Sequence, residues 1–289
     1  MKKWMNVLVA ALLVTFVFCM SAAGASSFNS GKDIAVVSRE DGSGTRGAFI
    51  ELFGILQKND DGTQKDLTTK EAVIAKQTDV MMTNIAGDIY AIGYISLGSL
   101  NDTVKATQIE GVTASAENVK NGTYPIARPF NIATKGEVDG LAKDFISFIL
   151  SADGQGIVAG SYIAVDESAT AYEAANASGK IVVAGSSSVT PIMEKLKEAY
   201  LAINPGAAIE IQQSDSSAGV TAAVNGTCDI AMASRDLKES ELAELSSTQI
   251  ALDGIAIIVA QGNPTENLSK EQVKAIFTGE ILAWSEVSE

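Results

Sequence analysis

The chain predicts an α/β fold, and two observations carry that reading. A β-branched run, a Ser/Gly loop and an amphipathic helix follow one another in that order three times, the pattern of strands and helices packed in layers. Past an N-terminal apolar stretch only Cys228 remains of the two cysteines, so no internal disulfide can form and stability must come from packing.

The first 25 residues, MKKWMNVLVAALLVTFVFCMSAAGA, carry Lys2 and Lys3, an apolar run from Val7 to Met20, and Ala23 and Ala25 around Gly24. This is the layout of a secretory signal peptide with its cleavage site. The run is short of the roughly 20 residues a membrane span needs, and an uncleaved anchor is the alternative. Phe18 before Cys19 speaks against a lipid-bearing cysteine. The rest is long enough for one large domain or two lobes of about 100–150 residues each.

In order, IAVVS (34–38) leads through REDGSGT into RGAFIELFGIL, IVVAG (181–185) through SSSVT into PIMEKLKEAYLAI, and IEIQQ (209–213) through SDSS into AGVTAAVNG. Thr68 with Glu71 and Ser269 with Gln272 have capping-box spacing and predict two more helix starts. Leu141–Leu150 reads as a helix. Pro191 suits a first helical turn, with Ser188 or Thr190 to cap it, and Ile192, Leu196, Ala199, Tyr200 and Ile203 recur on one face. Gly226 fits a helix end ahead of the strand CDIAMAS. Between 165 and 180, DESATAYEAANASG lacks a strand pattern and reads as a connecting segment, helical in part through its alanines.

Composition excludes several functions. The net charge is −14 and the N-terminal segment removes only positive charge, so nucleic acid and anionic membranes are poor partners. The absence of histidine removes Ser-His-Asp and Cys-His nucleophiles and His-based metal sites. No catalytic residue, metal or cofactor is expected.

Three loops, REDGSGT (39–45), GSSSVT (185–190) and SDSSAG (214–219), each stand after a strand and before a helix. There free amides and hydroxyls can converge on an oxyanion, joined by guanidiniums that bond two oxygens at once. Taken singly, each Ser or Thr is more often just a cap, and Arg39 could merely pair with Glu40 or Asp41. Three such loops in one chain, with Arg39 and Arg235 at strand ends, favour the anion. GSGTR lacks the spacing and the lysine of a nucleotide P-loop.

The segments GSSSVTPIMEKL, SDSSAG, CDIAMASRDLK, IALDGIAIIV, NPTENLSKEQVKAIFTGEILAW, VVSREDGSGTRGAF, AIGYISLGS, NGTYPIARPF and FILSADGQGIV resemble the PstS-type substrate-binding proteins of phosphate ABC transporters. The resemblance implies a two-lobed type II periplasmic-binding-protein fold that closes on inorganic phosphate and delivers it, as a monomer outside the cytoplasmic membrane (periplasm or cell surface), to an ABC transporter permease. It also implies a changed order: residues 33–165 resemble the family's second part and 180–287 its first, a circular permutation. On that basis one lobe is expected from 30–104 with 261–289 and the other from 105–260, with crossings near 101–108 and 258–262. Residues 166–179 would join the ancestral ends.

Carried over position by position, the resemblance implies phosphate contacts from Arg39, Ser43, Gly44, Thr45, Ser187, Ser188, Val189, Ser216 and Ser217, with Arg235 as an added cation and Asp41 orienting Arg39. The acceptor for the phosphate hydrogen is open among Glu40, Asp41, Asp215 and Asp253. A receptor for another tetrahedral oxyanion, and a non-transporting anion sensor or surface scaffold, are the competing functions.

Overall fold

A computed structural model describes residues 28–59 and 63–287; the expected signal peptide lies outside them. In chain order the first half forms β1 (Ala35–Arg39), α1 (Gly44–Leu52), β2 (Leu56–Lys58), β3 (Gln64–Asp66), β4 (Val73–Ala75), α2 (Thr78–Gly87), β5 (Ala91–Ser96), β6 (Val104–Ala106), β7 (Gln108–Ile109), α3 (Ala116–Lys120), β8 (Ala127–Thr134), α4 (Gly140–Leu150) and α5 (Ala152–Ala159). The second half forms β9 (Gly179–Ser186), α6 (Thr190–Ile203), β10 (Ala207–Ser214), α7 (Ser216–Val224), β11 (Ile230–Ala233), α8 (Glu239–Leu242), β12 (Ser246–Ala260), β13 (Asn267–Leu268) and α9 (Lys270–Thr278).

The main sheet runs β10-β9-β11-β8-β12-β5-β1-β4, with β6 also paired to β12. Its two flanks are parallel, as strand–helix–strand units require, while β8 and β12 run antiparallel to each other through the middle. The apolar side chains collect in two main cores. One holds Val36, Phe49, Tyr94, Ile126, Ile255, Phe277 and Trp284. The other holds Phe130, Phe145, Ile192, Leu196, Tyr200, Met232 and Ala251.

The cores change over in mid-strand, between Ala127 and Phe130 on β8 and between Ala251 and Ile255 on β12. The packing therefore divides there and not near 101–108 and 258–262: Val104, Ile109, Val119 and Tyr124 belong with the first core. The expected crossings stood at turn residues, but β12 passes through as one strand of 15 residues, more than twice the usual length. At the change itself, from Ala127 to Phe130 on β8 and from Ile250 to Ile255 on β12, the polar side chains are Arg128 and Asp253.

Several local expectations hold. The 190–203 helix carries Pro191 in its first turn, Ser269 and Gln272 form their capping box, and Gly226 takes a left-handed φ of 67° after α7. Two fail. Thr68 and Glu71 start no helix, because Val73–Ala75 pairs with Val37–Arg39 and Thr69 N–H is drawn to Phe277 O at 2.8 Å. The connecting segment forms no helix. Its Tyr172 hydroxyl donates to Asp144 Oδ2 at 2.6 Å and its ring stands edge-on to Phe148 at 5.2 Å.

The two ends of the described chain lie side by side. Asp33 bridges to Ala283, Ile34 N–H reaches Leu282 O at 2.7 Å, and Ser285 N–H reaches Ser30 O at 2.7 Å. Trp284 fixes the junction: its indole N–H donates to Tyr90 O at 3.0 Å, and Phe28 meets its ring edge-on at 5.9 Å.

Candidate functional site

β1 ends in Arg39, and the chain then turns through Gly42, whose φ of 89° a glycine accepts without strain. Ser43 caps α1, its Oγ accepting from Arg46 N–H at 3.3 Å. The hydroxyl only accepts there and keeps its own hydrogen to donate. The loop lies against the second core's side of the cleft. Ser217 N–H donates to Gly42 O at 3.2 Å, and a Cβ on Gly44 would stand 2.5 Å from Ser216 Oγ and 2.7 Å from Ser234 Oγ. Only glycine permits that approach.

Around this contact hydroxyls from both sides form one buried cluster. Thr45 Oγ1 and Ser188 Oγ are 2.8 Å apart, and Thr78 Oγ1 lies 3.3 Å from both Ser187 Oγ and Ser188 Oγ. Arg39, 2% exposed, donates to Ser187 Oγ at 3.0 Å and to Thr78 Oγ1 at 3.3 Å. Behind it Ser186, Ser234 and Ser216 form a second row, with Oγ–Oγ distances of 2.9 and 3.3 Å. Four helices, α1, α2, α6 and α7, begin beside these hydroxyls. Their first-turn amides and dipoles favour negative charge, so the arrangement suits an oxyanion.

Local chemistry explains why these hydroxyls are not spent on helix caps. Asp215 caps α7 by accepting from Ala218 N–H at 2.8 Å, which relieves Ser216 and Ser217 of that duty. No side chain caps α6: Thr190 Oγ1 donates to Ser186 O, and Ser188 turns toward Thr45 and Thr78. The hydroxyl that the sequence offers as a cap faces the cleft instead.

Of the residues expected from sequence, Arg39, Gly44, Thr45, Ser187, Ser188 and Ser216 come together here. Others stand elsewhere. Val189 N–H is bonded to Ser186 O at 3.0 Å, a turn that takes up the amide expected to hold ligand. Arg235 is gripped by both oxygens of Glu241 at 2.7 and 2.9 Å, donates to Asp236 O at 2.9 Å, and among the expected site residues reaches Ser217 Oγ, at 3.2 Å, on the margin. Asp41 does not orient Arg39. It is 98% exposed and pairs with Arg46 at 3.0 Å, while both oxygens of Glu40 hold Arg39 at 2.8 Å.

Thr78 and Arg128 were not expected at the site, and Ser234 was expected there only as part of the ASR loop (233–235), not as a contact. Thr78 opens α2 with no flanking glycine or serine motif; its one local mark is Asp79 in the first turn. Arg128, 3% exposed, donates to Thr45 Oγ1 and Ser234 O at 2.8 Å each, and pairs with Asp253 at 3.1 Å. Its mark in the sequence is a lone charge in an apolar strand. Burial pushes the Asp253 carboxyl up to about 6, with Arg128 pulling the other way. No group of acidic or cysteine side chains able to hold a metal occurs among the described residues.

The family model described as a PBP superfamily domain matches residues 2–153 and 170–289. Phosphate-binding protein PstS 2 of Streptococcus agalactiae is 49% identical over 289 residues, covering 99% of this chain and 98% of its own. The crystal structure of a phosphate ABC transporter phosphate-binding protein from Streptococcus pneumoniae superposes with a TM-score of 0.70 at 45% identity, over 89% of this chain and 100% of that one. Phosphate-binding protein PstS of Bacillus subtilis, by contrast, aligns over 126 residues only, at 36% identity, covering 43% of this chain and 39% of its own. Two cores on one sheet joined by β8 and β12, together with near-complete coverage by these relatives, make this chain a member of the PstS family of phosphate-binding proteins, with the type II periplasmic-binding-protein fold.

Proposed function

We infer that the protein binds inorganic phosphate outside the cytoplasm, without catalysing a reaction, and hands it as a monomer to the permease of an ABC-type phosphate importer. The observation that carries this reading is the buried hydroxyl cluster of Thr45, Thr78, Ser187 and Ser188 around Arg39, built from both sides of the cleft. The residues that would hold the anion are these five with Gly44 and Ser216. Because the donors come from both sides, an anion between them stabilises closure by bridging the lobes, and the closed form is the one the permease would meet. Ser217, Val189 and Arg235 support the walls of the site, and Ser43, which only accepts in its cap, keeps a hydrogen to donate beside Gly44.

Phosphate near neutral pH still carries a hydrogen, and an acceptor for it disfavours sulfate, which has none to give. All four candidate carboxylates have partners: Asp41 has Arg46, Asp215 the α7 cap, Asp253 Arg128 and Glu40 Arg39. Of them only Glu40 is bonded to one of the five residues of the cluster. Its oxygens hold Arg39 and each keeps a second lone pair, so Glu40 is the acceptor this reading selects.

The order of the chain belongs to the same proposal. A permuted chain aligns end to end with relatives sharing its order and only in part with those that do not, which fits the coverage of the S. agalactiae and B. subtilis proteins. The adjacent ends at Asp33 and Ala283, and the pinned connecting segment around Tyr172, support it further. No helix among the described residues is long and apolar enough to cross a membrane.

Calorimetric titration of the purified protein with phosphate, arsenate and sulfate tests the function. Binding of phosphate and arsenate with little heat from sulfate is expected. Equal binding of sulfate would make this a general oxyanion receptor, and no binding of any oxyanion would leave the sensor or scaffold reading.

A further inference from the structure

Arg128 joins three parts of the molecule that the ligand cluster alone does not join. It stands directly opposite Asp253 in the β8–β12 ladder, at the place where both strands pass from one core to the other. Its Nη2 and Nε lie 3.1 and 3.4 Å from Asp253 Oδ2. Nη1 reaches forward to Thr45 Oγ1 on one side of the cleft and to Ser234 O on the other, both at 2.8 Å.

A guanidinium has hydrogens to give and no lone pair to offer. Thr45 Oγ1 must therefore accept from Arg128, and its own hydrogen is left to be donated, toward Ser188 Oγ or toward an oxygen placed between them. Arg39 acts alike on Thr78 and Ser187 from the far side. Hydroxyls that rotate freely in isolation are turned by the two arginines into donors facing inward. The charge of Arg128 is meanwhile balanced by Asp253 in the hinge, so its effect on an anion passes through Thr45.

We propose that Arg128, anchored in the hinge by Asp253, is a positioning residue for the oxyanion site, fixing the Thr45 hydroxyl as a donor and tying that orientation to closure of the lobes. This rests on the phosphate-binding reading. Preset donors spare the anion the cost of ordering them, which is how preorganisation raises affinity. Nη1 can serve Thr45 and Ser234 together only when the cleft is shut, so the same contact that orients the donor also marks the closed state.

A double-mutant cycle on phosphate affinity tests the proposal. Arg128→Gln alone strands a buried carboxylate, so the hinge change is Arg128→Gln with Asp253→Asn, measured with Thr45 intact and in the Thr45→Val background. With Thr45 intact the hinge change is expected to weaken phosphate binding at least about tenfold, and in the Thr45→Val background less than about threefold. A residue that merely supports the fold would give the same loss in both backgrounds. If the wild-type protein binds phosphate and the losses are equal, the role of Arg128 is overturned and the phosphate reading stands; if the wild type binds no oxyanion, both fall. Should circular dichroism show the hinge variant unfolded, Asp253→Asn alone, which frees Arg128 from its anchor, runs through the same cycle with the same criterion.

Discussion

Glu40 and Asp41 are neighbours in sequence, yet they meet opposite environments. Glu40 grips a buried arginine with both oxygens, whereas Asp41 stands in solvent against Arg46. An exposed ion pair contributes at most about 1 kcal/mol, while a charge-assisted bond inside a dry site is worth about 1.5–3 kcal/mol. Asp41→Asn should therefore change phosphate affinity less than about fivefold, and Glu40→Gln should weaken it at least about tenfold, by the same two magnitudes. Glu40→Gln should also narrow the preference for phosphate over sulfate, since the amide can present its N–H₂ where the carboxylate accepted. Titrating both variants with both anions checks this. A larger loss for Asp41→Asn would return Arg39's partner to the position the family resemblance assigned. That assignment failed for a local reason: sequence shows two adjacent acids, and which one faces inward is set by the turn at Gly42.

Among the elements, those with their own capping chemistry were legible in the sequence. Pro191 places the start of α6, Ser269 with Gln272 starts α9, and Gly226 follows the end of α7. β4 was misread because Thr68 and Glu71 have the right spacing for a helix that strand pairing overrides. α2 was not read at all, which hid Thr78, and the long β8 and β12 hid Arg128 by giving no break at the change of core. Of the six loop hydroxyls expected at the site, Thr45, Ser187, Ser188 and Ser216 come together, since β1–α1, β9–α6 and β10–α7 each deliver their residues to a helix start. Their mutual approach is set by Gly44, where α1 meets Ser216 and Ser234. Gly44→Ala is expected to leave both cores folded, because the added methyl meets neither. It should prop the cleft open and lower phosphate affinity at least about a hundredfold, the scale of several lost hydrogen bonds. Calorimetry and the radius of gyration with phosphate present check it: a variant that compacts and binds like the wild type would show that the glycine is not needed for closure.

On the scale of the whole molecule, the sequence motifs carried the architecture because each is anchored to a strand end, and their order does not alter where a strand end lies in the sheet. The lobe boundaries were less visible, since they depend on which core a residue of a continuous strand faces. If the order is permuted, the molecule should tolerate its reversal. A chain begun at Gly179, with a short flexible linker joining Val287 to Phe28 and new ends in the connecting segment, should fold and bind phosphate within about threefold of the original, because surface ends are widely tolerated. Its expected cost is the Tyr172 anchorage on Asp144, Tyr200 and Asn204 if that residue falls in a frayed end, seen as a lower melting temperature. Failure of the rearranged chain to fold would argue that the junction at Trp284 does more than close a gap.

The two cores also differ in when their parts emerge. One is made from a single stretch, Phe130 to Ala251, and can form as soon as that stretch is free. The other needs Ile34 to Ile126 together with Leu268, Phe277 and Trp284, which follow everything else in the chain. During synthesis or passage across a membrane, its first half must wait with Val36, Phe49 and Tyr94 uncovered while more than a hundred residues go by. Contacts so distant in sequence form slowly and leave apolar surface exposed to proteases and to neighbouring chains. The split lobe is therefore the stage of folding at which this protein would depend most on chaperones.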